Sequence, residues 1–166
     1  MTARKCCPAC ASISNKKCFV VNDYDIKRCF ACGTMYVETL PTPEALASIY
    51  TDDSYYELPV DSMQRINAEN ARRLSRIQKI KPKGHFLDIG CAHGLLLDKA
   101  KQAGYETQGV APTLANATVA RRKGHAVFNG WLSDFVAQNV ERRFDVITCL
   151  DVIEHIDDPK SFMQLA

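Results

Sequence analysis

Two Cys-x-x-C pairs, Cys7-Pro8-Ala9-Cys10 and Cys29-Phe30-Ala31-Cys32, stand 18 residues apart near the start of the chain. No other feature restricts the local fold so sharply. Two cysteines three apart across a tight turn can aim both sulfurs at one ion. Two such turns at the ends of a small hairpin complete a tetrahedron, with Zn–S near ~2.3 Å. Cys7, Cys10, Cys29 and Cys32 are therefore the expected ligands of a structural zinc. Pro8 stiffens the first turn, and Gly33 follows the second, where a positive φ is useful. The stretches Lys17 to Val21 and Thr34 to Val37 read as short strands. About 40 residues cannot build an adequate apolar core, so a metal would supply the missing stability.

Other readings of the cysteines fit less well. A disulfide framework belongs to secreted chains, and Met1 to Val21 shows no apolar signal region. A redox pair would need one Cys-x-x-C in a βαβ setting, which is lacking here. Cys6 remains an alternative to Cys7, because a spacing of three is also permitted. Cys18 lies in an apolar stretch and is expected to be a buried structural thiol. Arg4, Lys5, Lys16, Lys17, Lys27 and Arg28 face Asp23, Asp25 and Glu38 over residues 1–40. Four thiolates on Zn²⁺ bring that balance close to neutral. A structural module is favoured over one that holds nucleic acid.

After this module the character of the chain changes. Pro41-Thr42-Pro43 breaks the backbone and can start a helix, with Thr42 as cap and Glu44 to Tyr50 as its body. Thr51 to Ser54 reads as a turn, followed by Tyr55-Tyr56. Asp61 to Ile80 reads as a helix with Met63, Ile66, Leu74, Ile77 and Ile80 on its apolar face. Arg65, Arg72, Arg73, Arg76 and Lys79 form the other face. That face is either simply solvated or a rim that attracts an anionic substrate. The expected divisions are a module at 1–40, a helical connecting or lid segment at 41–83, and an α/β domain at 84–166.

From His85 the pattern is β-α-β-α-β-α-β. The strands are His85 to Ile89, Glu106 to Val110, His125 to Phe128 and Phe144 to Leu150. Between them lie helices at Leu95 to Ala103, Leu114 to Lys123 and Ser133 to Asn139. Alternation of this kind argues a parallel sheet, with any ligand beyond the C-terminal strand ends. The first strand runs into Gly90-Cys91-Ala92-His93-Gly94. That spacing is not the dinucleotide fingerprint, and no phosphate loop follows the strand. The chain is 46% hydrophobic and 24% charged, with a formal charge of +2, which fits a globular protein. No apolar run approaches the ~20 residues of a membrane helix. The expected location is cytoplasmic.

Leu87-Asp88-Ile89-Gly90-Cys91-Ala92-His93-Gly94 resembles motif I of class I S-adenosylmethionine-dependent methyltransferases. Phe144 to His155, ending Asp151-Val152-Ile153-Glu154-His155, resembles their motif IV and its extension. The cysteine pairs, Pro-Thr-Pro and the paired tyrosines resemble the front of a small-molecule subgroup. The resemblance implies a Rossmann-like sheet in the order 3-2-1-4-5-7-6, with S-adenosylmethionine as cofactor beside structural Zn²⁺. It also implies roles. Gly90, Cys91, Ala92 and Gly94 would let the backbone approach the methionine end. Asp88 would meet its amino group, or else only brace the turn. Trp131 and Leu132 would contact the adenine, with a core position for Trp131 as the alternative. Leu150 and Asp151 would face the sulfonium and the acceptor. His155 would serve as base, oriented by Glu154 or Asp151, or else the pair would only cap a following helix.

Two positions depart from the family. The middle glycine of motif I is Ala92. The acidic residue that accepts from both ribose hydroxyls is replaced by Ala111, followed by Pro112 and Thr113. A methyl group accepts no hydrogen bond, and the loss is worth about 1.5–3 kcal/mol. Thr113 or Asn116 would compensate in part. The expected function is methylation of a small-molecule acceptor on O, C or N. A non-catalytic methyltransferase-like binding module is the alternative, and a zinc-ribbon methyltransferase of ribosomal RNA the third reading. The 166 residues reach only the fourth strand of the resembling sheet. The chain is thus expected to be the N-terminal part of a longer enzyme, or a truncated product that self-associates through the exposed strand edge.

Overall fold

The computed structural model describes residues 2–40, 42 and 60–166. The expected helix at Glu44 to Tyr50, its start at Pro43, the Thr51 to Ser54 turn and Tyr55-Tyr56 lie outside the described residues. The chain divides into two compact units. One comprises Met1–Thr51 with His155–Gln164, the other Asp52–Glu154 with Leu165–Ala166.

The described residues of the first unit form two small antiparallel sheets. β1 (Thr2–Ala3) pairs antiparallel with β5 (Thr39–Leu40). β2 (Asn15–Val21), β3 (Tyr24–Cys29) and β4 (Met35–Val37) form an antiparallel sheet in that order. β3 goes beyond the two strands expected from the sequence. Its hairpin turn is Asn22-Asp23, with φ of 47° and 65° and Val21 paired to Tyr24 across it. Two successive positive φ values define the primed turns that match strand twist, and Asn and Asp tolerate them. The register shifts between Lys17 and Phe19, at Cys18. Cys18 is exposed, which corrects the expectation of a buried thiol. The bulge turns it out of the ladder on a strand at the sheet edge. The last helix, Pro159–Leu165, begins with Asp158 accepting hydrogen bonds from the Ser161 amide and hydroxyl. Within this unit Arg4 Nη1 donates to the Asp157 carbonyl at 2.6 Å.

The second unit is layered. After α1 (Val60–Gln78), strand β6 (His85–Ile89) leads to α2 (Leu95–Gln102) and β7 (Glu106–Ala111). α3 (Leu114–Arg122), β8 (Ala126–Asn129), α4 (Leu132–Gln138) and β9 (Val146–Cys149) follow. α5 is the terminal helix named above. The sheet order is β8-β7-β6-β9, all parallel. The parallel sheet is the one the alternating pattern argues, and its 3-2-1-4 order is the one the family resemblance implies. Each helix contributes a narrow apolar face: Leu96, Leu97 and Ala100 from α2, Ala117 and Ala120 from α3. These pack with Phe86, Tyr105, Ala111 and Val127, and Leu74 of α1 joins them. Phe86 and Tyr105 meet edge to face at 5.3 Å. Thr113 caps α3 by accepting from the Asn116 amide. Ile80 lies beyond the end of α1 and is exposed, so it does not belong to the apolar face expected for it.

Candidate functional sites

The four-cysteine cluster forms from two turns with the same hydrogen bonds. Cys7 N donates to Ser12 O, and Cys29 N to Thr34 O. Ala11 N donates back to Cys7 O, and Gly33 N to Cys29 O. Ala11 and Gly33 hold equivalent places, with φ of 60° and 77°. The result brings the sulfurs of Cys7, Cys10, Cys29 and Cys32 within 4.8 Å of one another. Cys7–Cys32 and Cys10–Cys29 are each 3.6 Å apart. Ligands ~2.3 Å from a tetrahedral zinc have sulfurs about 3.8 Å apart, so the set fits that ion. Cys7 rather than Cys6 occupies the cluster.

The polarity of the turns matches the geometry. Backbone N–H groups of Cys32 and Ala31 favour the Cys29 thiolate, although burial opposes them. Thr34, through its hydroxyl at 3.2 Å and its amide, brings Cys32 down to about 6. Cys10 behaves oppositely. A backbone bond from Ser12 favours its thiolate, but donation to Cys32 and desolvation push it up to about 12. Full ionisation of four adjacent thiols needs a cation among them.

The second site lies at the C-terminal ends of β6, β7 and β9. Asp88 is buried one residue before the end of β6. Its Oδ1 accepts from Thr148 Oγ1 of β9 at 2.7 Å, and the same hydroxyl lies 3.3 Å from Leu87 O. Burial raises the Asp88 pKa to about 7, against the opposing pull of Thr148 and the Arg73 guanidinium. Arg73 projects from α1 and holds Glu69 at 2.7 Å and Asp151 at 3.8 Å. The sequence reading left Arg73 among five cations of one helix face. Its distinguishing signal is its place beside Leu74, which with Asn70 marks the buried side of that helix.

The glycine turn follows Asp88. At Gly90, φ is 76° and an added Cβ would lie 2.4 Å from Val152 Cγ2. Only glycine fits there. Ala92 stands at φ 43°, so the departure from the family motif carries backbone strain. Cys91 is buried, and burial pushes its thiol up to about 12. Gly94 begins α2 at φ 75°.

Ala111 ends β7 fully buried, and its only polar acceptor is the backbone carbonyl. That carbonyl already accepts from Gly130 N at 3.0 Å and Asn129 Nδ2 at 3.1 Å. Asn129 Nδ2 also reaches the Pro112 carbonyl. Thr113 is engaged as the helix cap, while buried Asn116 Oδ1 has no hydrogen-bond partner among the described residues. Trp131 is 57% exposed at the start of α4, which rules out its core reading. Leu132 beside it is buried. Leu150 packs against the core just past β9. Asp151 follows with φ 55°. Glu154 and His155 occupy one 3₁₀ turn, Ile153–His155, and both are exposed. The two units divide between them. Asp88, Thr148, Arg73 and Asp151 therefore form the cluster that the structure brings together.

Residues 62–166 match the family model described as a methyltransferase domain. The chain belongs to this family. It is 35% identical over 121 residues to a ubiquinone biosynthesis O-methyltransferase of Actinobacillus pleuropneumoniae, covering 64% of this chain and 50% of that protein. A protein of the same name from Coxiella burnetii is 32% identical over 114 residues, covering 64% and 48%. The chain thus spans about half the length of the curated relatives it matches. Among solved structures, a plantazolicin methyltransferase with S-adenosylhomocysteine aligns at TM-score 0.58 and 18% identity, covering 73% of this chain and 51% of the other. A SAM-dependent methyltransferase from Archaeoglobus fulgidus aligns at 0.53 and 23%, covering 61% and 44%. These likenesses define the fold as the Rossmann-like methyltransferase sheet. No helix among the described residues is long and apolar enough to cross a membrane.

Proposed function

We propose that this chain carries the cofactor-binding part of an S-adenosylmethionine-dependent methyltransferase for small-molecule acceptors, preceded by a zinc-stapled module. The observation that carries the reading is a buried carboxylate, Asp88, held by Thr148 at the end of the central strand. It opens into a glycine turn and faces the field of Arg73. A carboxylate and a guanidinium at one strand end suit the ammonium and carboxylate of an amino acid. Gly90 and Gly94 leave room for the chain between them. Exposed Trp131 offers an apolar face for a base beyond β8.

S-Adenosylmethionine, when bound, supplies an electrophilic methyl group on a sulfonium. The protein's task is alignment and exclusion of water. Leu150 supplies apolar surface at the strand end. The relatives' names favour an acceptor hydroxyl, whose proton must leave as the oxygen attacks. His155 is the residue proposed to take that proton. In the other unit, the four thiolates would hold zinc and replace the missing core.

Calorimetry with S-adenosylhomocysteine tests the reading. The wild type is expected to bind, and Asp88→Ala to lose binding. A folded wild type without affinity would sink it. One observation favours a second reading, a methyltransferase-like module without catalysis. Ala111 offers no side-chain acceptor for the ribose hydroxyls, and its carbonyl is already occupied.

A further inference from the structure

A buried polar cluster stands behind the glycine turn, outside the residues considered so far. His125, just before β8, has a side chain only 1% exposed. Its Nε2 lies 2.7 Å from Asp98 Oδ1 of α2. That short contact with a carboxylate ties the buried ring to α2. Its other ring nitrogen, Nδ1, is buried and has no hydrogen-bond partner among the described residues. Lys123 Nζ joins at 3.2 Å from Asp98 Oδ2 and donates to the His93 carbonyl at 2.9 Å. Burial opposes ionisation of Asp98, but its bonds with His125 and Lys123 together outweigh that and hold the carboxyl below its ordinary range.

Each contact ends on the glycine turn or the first residues of α2. Lys123 holds the turn by the carbonyl of His93. The His125 ring stands where a Cβ on Gly94 would touch its Cδ2 at 3.0 Å. Asp98 N donates to Gly94 O, and Gly94 N to Cys91 O, both at 2.8 Å. The turn contains Ala92 at a strained φ, so it has a reason to relax away from this shape. Two charged groups and a buried ring oppose that relaxation.

We infer that Asp98, Lys123 and His125 form a positioning clamp that fixes the glycine turn for the amino-acid end of the cofactor. The cofactor half of this inference rests on the proposed function. The clamp half does not. Asp98 and Lys123 touch no ligand in this account and act through the backbone of residues 91–94.

The test uses the full 166-residue chain and the variants Lys123→Met, Lys123→Arg and Asp98→Asn. Both sites are partly exposed, so these changes leave the apolar core intact. Hydrogen exchange in the ligand-free protein reads the Gly94 and Asp98 amides, with Gly104 at the far end of α2 as control. Lys123→Met and Asp98→Asn should speed exchange at Gly94 and Asp98 about tenfold and leave Gly104 unchanged. Lys123→Arg should restore protection. Calorimetry then compares S-adenosylhomocysteine with 5′-methylthioadenosine, which lacks the amino-acid end. The clamp variants should weaken the first about tenfold and the second hardly at all. Unchanged exchange at Gly94 and Asp98 would overturn the clamp, and so would equal loss for both ligands. A wild type that bound neither ligand would remove the proposed function, while the exchange arm would still decide the clamp.

Discussion

The two units of this chain solve the problem of folding with different chemistry. In the cysteine module the buried cluster is Cys7, Cys29 and Tyr36. Phe19, Val20, Val21, Phe30 and Met35 remain about half exposed or more. Among the described residues of the sheet unit, eleven buried ones form one cluster, including Phe86 and Leu97. Apolar burial near 25 cal/mol per Å² can carry the second unit but not the first. The module has instead spent its buried positions on sulfur. On the proposed reading the difference teaches where each unit is vulnerable: one to loss of an ion, the other to charge placed in its interior.

The largest effect should come from breaking that contrast at the metal. Structural zinc contributes about 10–16 kcal/mol in small sites near neutral pH. Chelation is expected to abolish exchange protection in β2 and β3 while β6 and β7 keep theirs. Elemental analysis should give one zinc per chain. Cys29→Ser should remove it, and neither Cys6→Ser nor Cys18→Ser should. A zinc-free chain with intact protection in β3 would refute the staple.

The sheet unit should respond instead to pH through Asp88. Its folded pKa, about 7, lies above the ordinary 3.8, so the folded chain holds this proton more tightly. The associated stability is complete below about pH 3.8 and is lost as pH rises through about 7. The gap corresponds to about 4 kcal/mol. Asp88→Asn keeps an acceptor for Thr148 and removes the buried charge. Urea unfolding should show the variant more stable than wild type by about that amount at pH 8.5, with the difference vanishing near pH 4. The same variant should lose cofactor affinity, because the neutral amide no longer complements an ammonium. Parallel pH curves for the two proteins would contradict this account.

A smaller effect concerns Ala111. Restoring an acceptor by Ala111→Glu should tighten S-adenosylhomocysteine by about 1.5–3 kcal/mol, read by calorimetry. Ala111 is fully buried, so the longer side chain must leave along the strand end toward solvent. Unchanged affinity would mean that the ribose makes no demand on this position.

The contrast also explains what the sequence reveals. β6 through β9 are legible because apolar runs, glycine turns and amphipathic helices repeat with a fixed period. The four-cysteine cluster is legible because its spacing brings the sulfurs together. β3 escapes because Tyr24-Asp25-Ile26-Lys27-Arg28 carries only a weak alternation, although Asn22-Asp23 marks its turn. Cys18 misleads because the strand's apolar character predicts a buried face, and a bulge on an edge strand removes it. Arg73 is hidden because its neighbours share its charge. The clamp of Asp98, Lys123 and His125 is hidden because its members lie up to 27 positions apart and meet only through α2 and the β8 entry.

The smallest effect asks whether both units carry the same backbone strain. Ala11 closes the first cysteine turn at φ 60°, where the second turn has Gly33. Ala92 stands at φ 43° where the family motif has glycine. A left-handed L-residue costs roughly 1–2 kcal/mol. Glycine gives back about 0.4–1 kcal/mol through its freer unfolded chain. Ala11→Gly and Ala92→Gly should therefore each stabilise their own unit by about 0.5–1 kcal/mol. The distinction lies in how the gain is read. Ala92→Gly should raise the urea midpoint of the sheet unit with or without metal. Ala11→Gly should register only as tighter zinc, about threefold by competition with a chelator, because that turn has little structure to stabilise until the ion is bound. If Ala11→Gly instead raised stability of the metal-free module, the module would hold its fold without zinc, and the contrast between the two units would collapse.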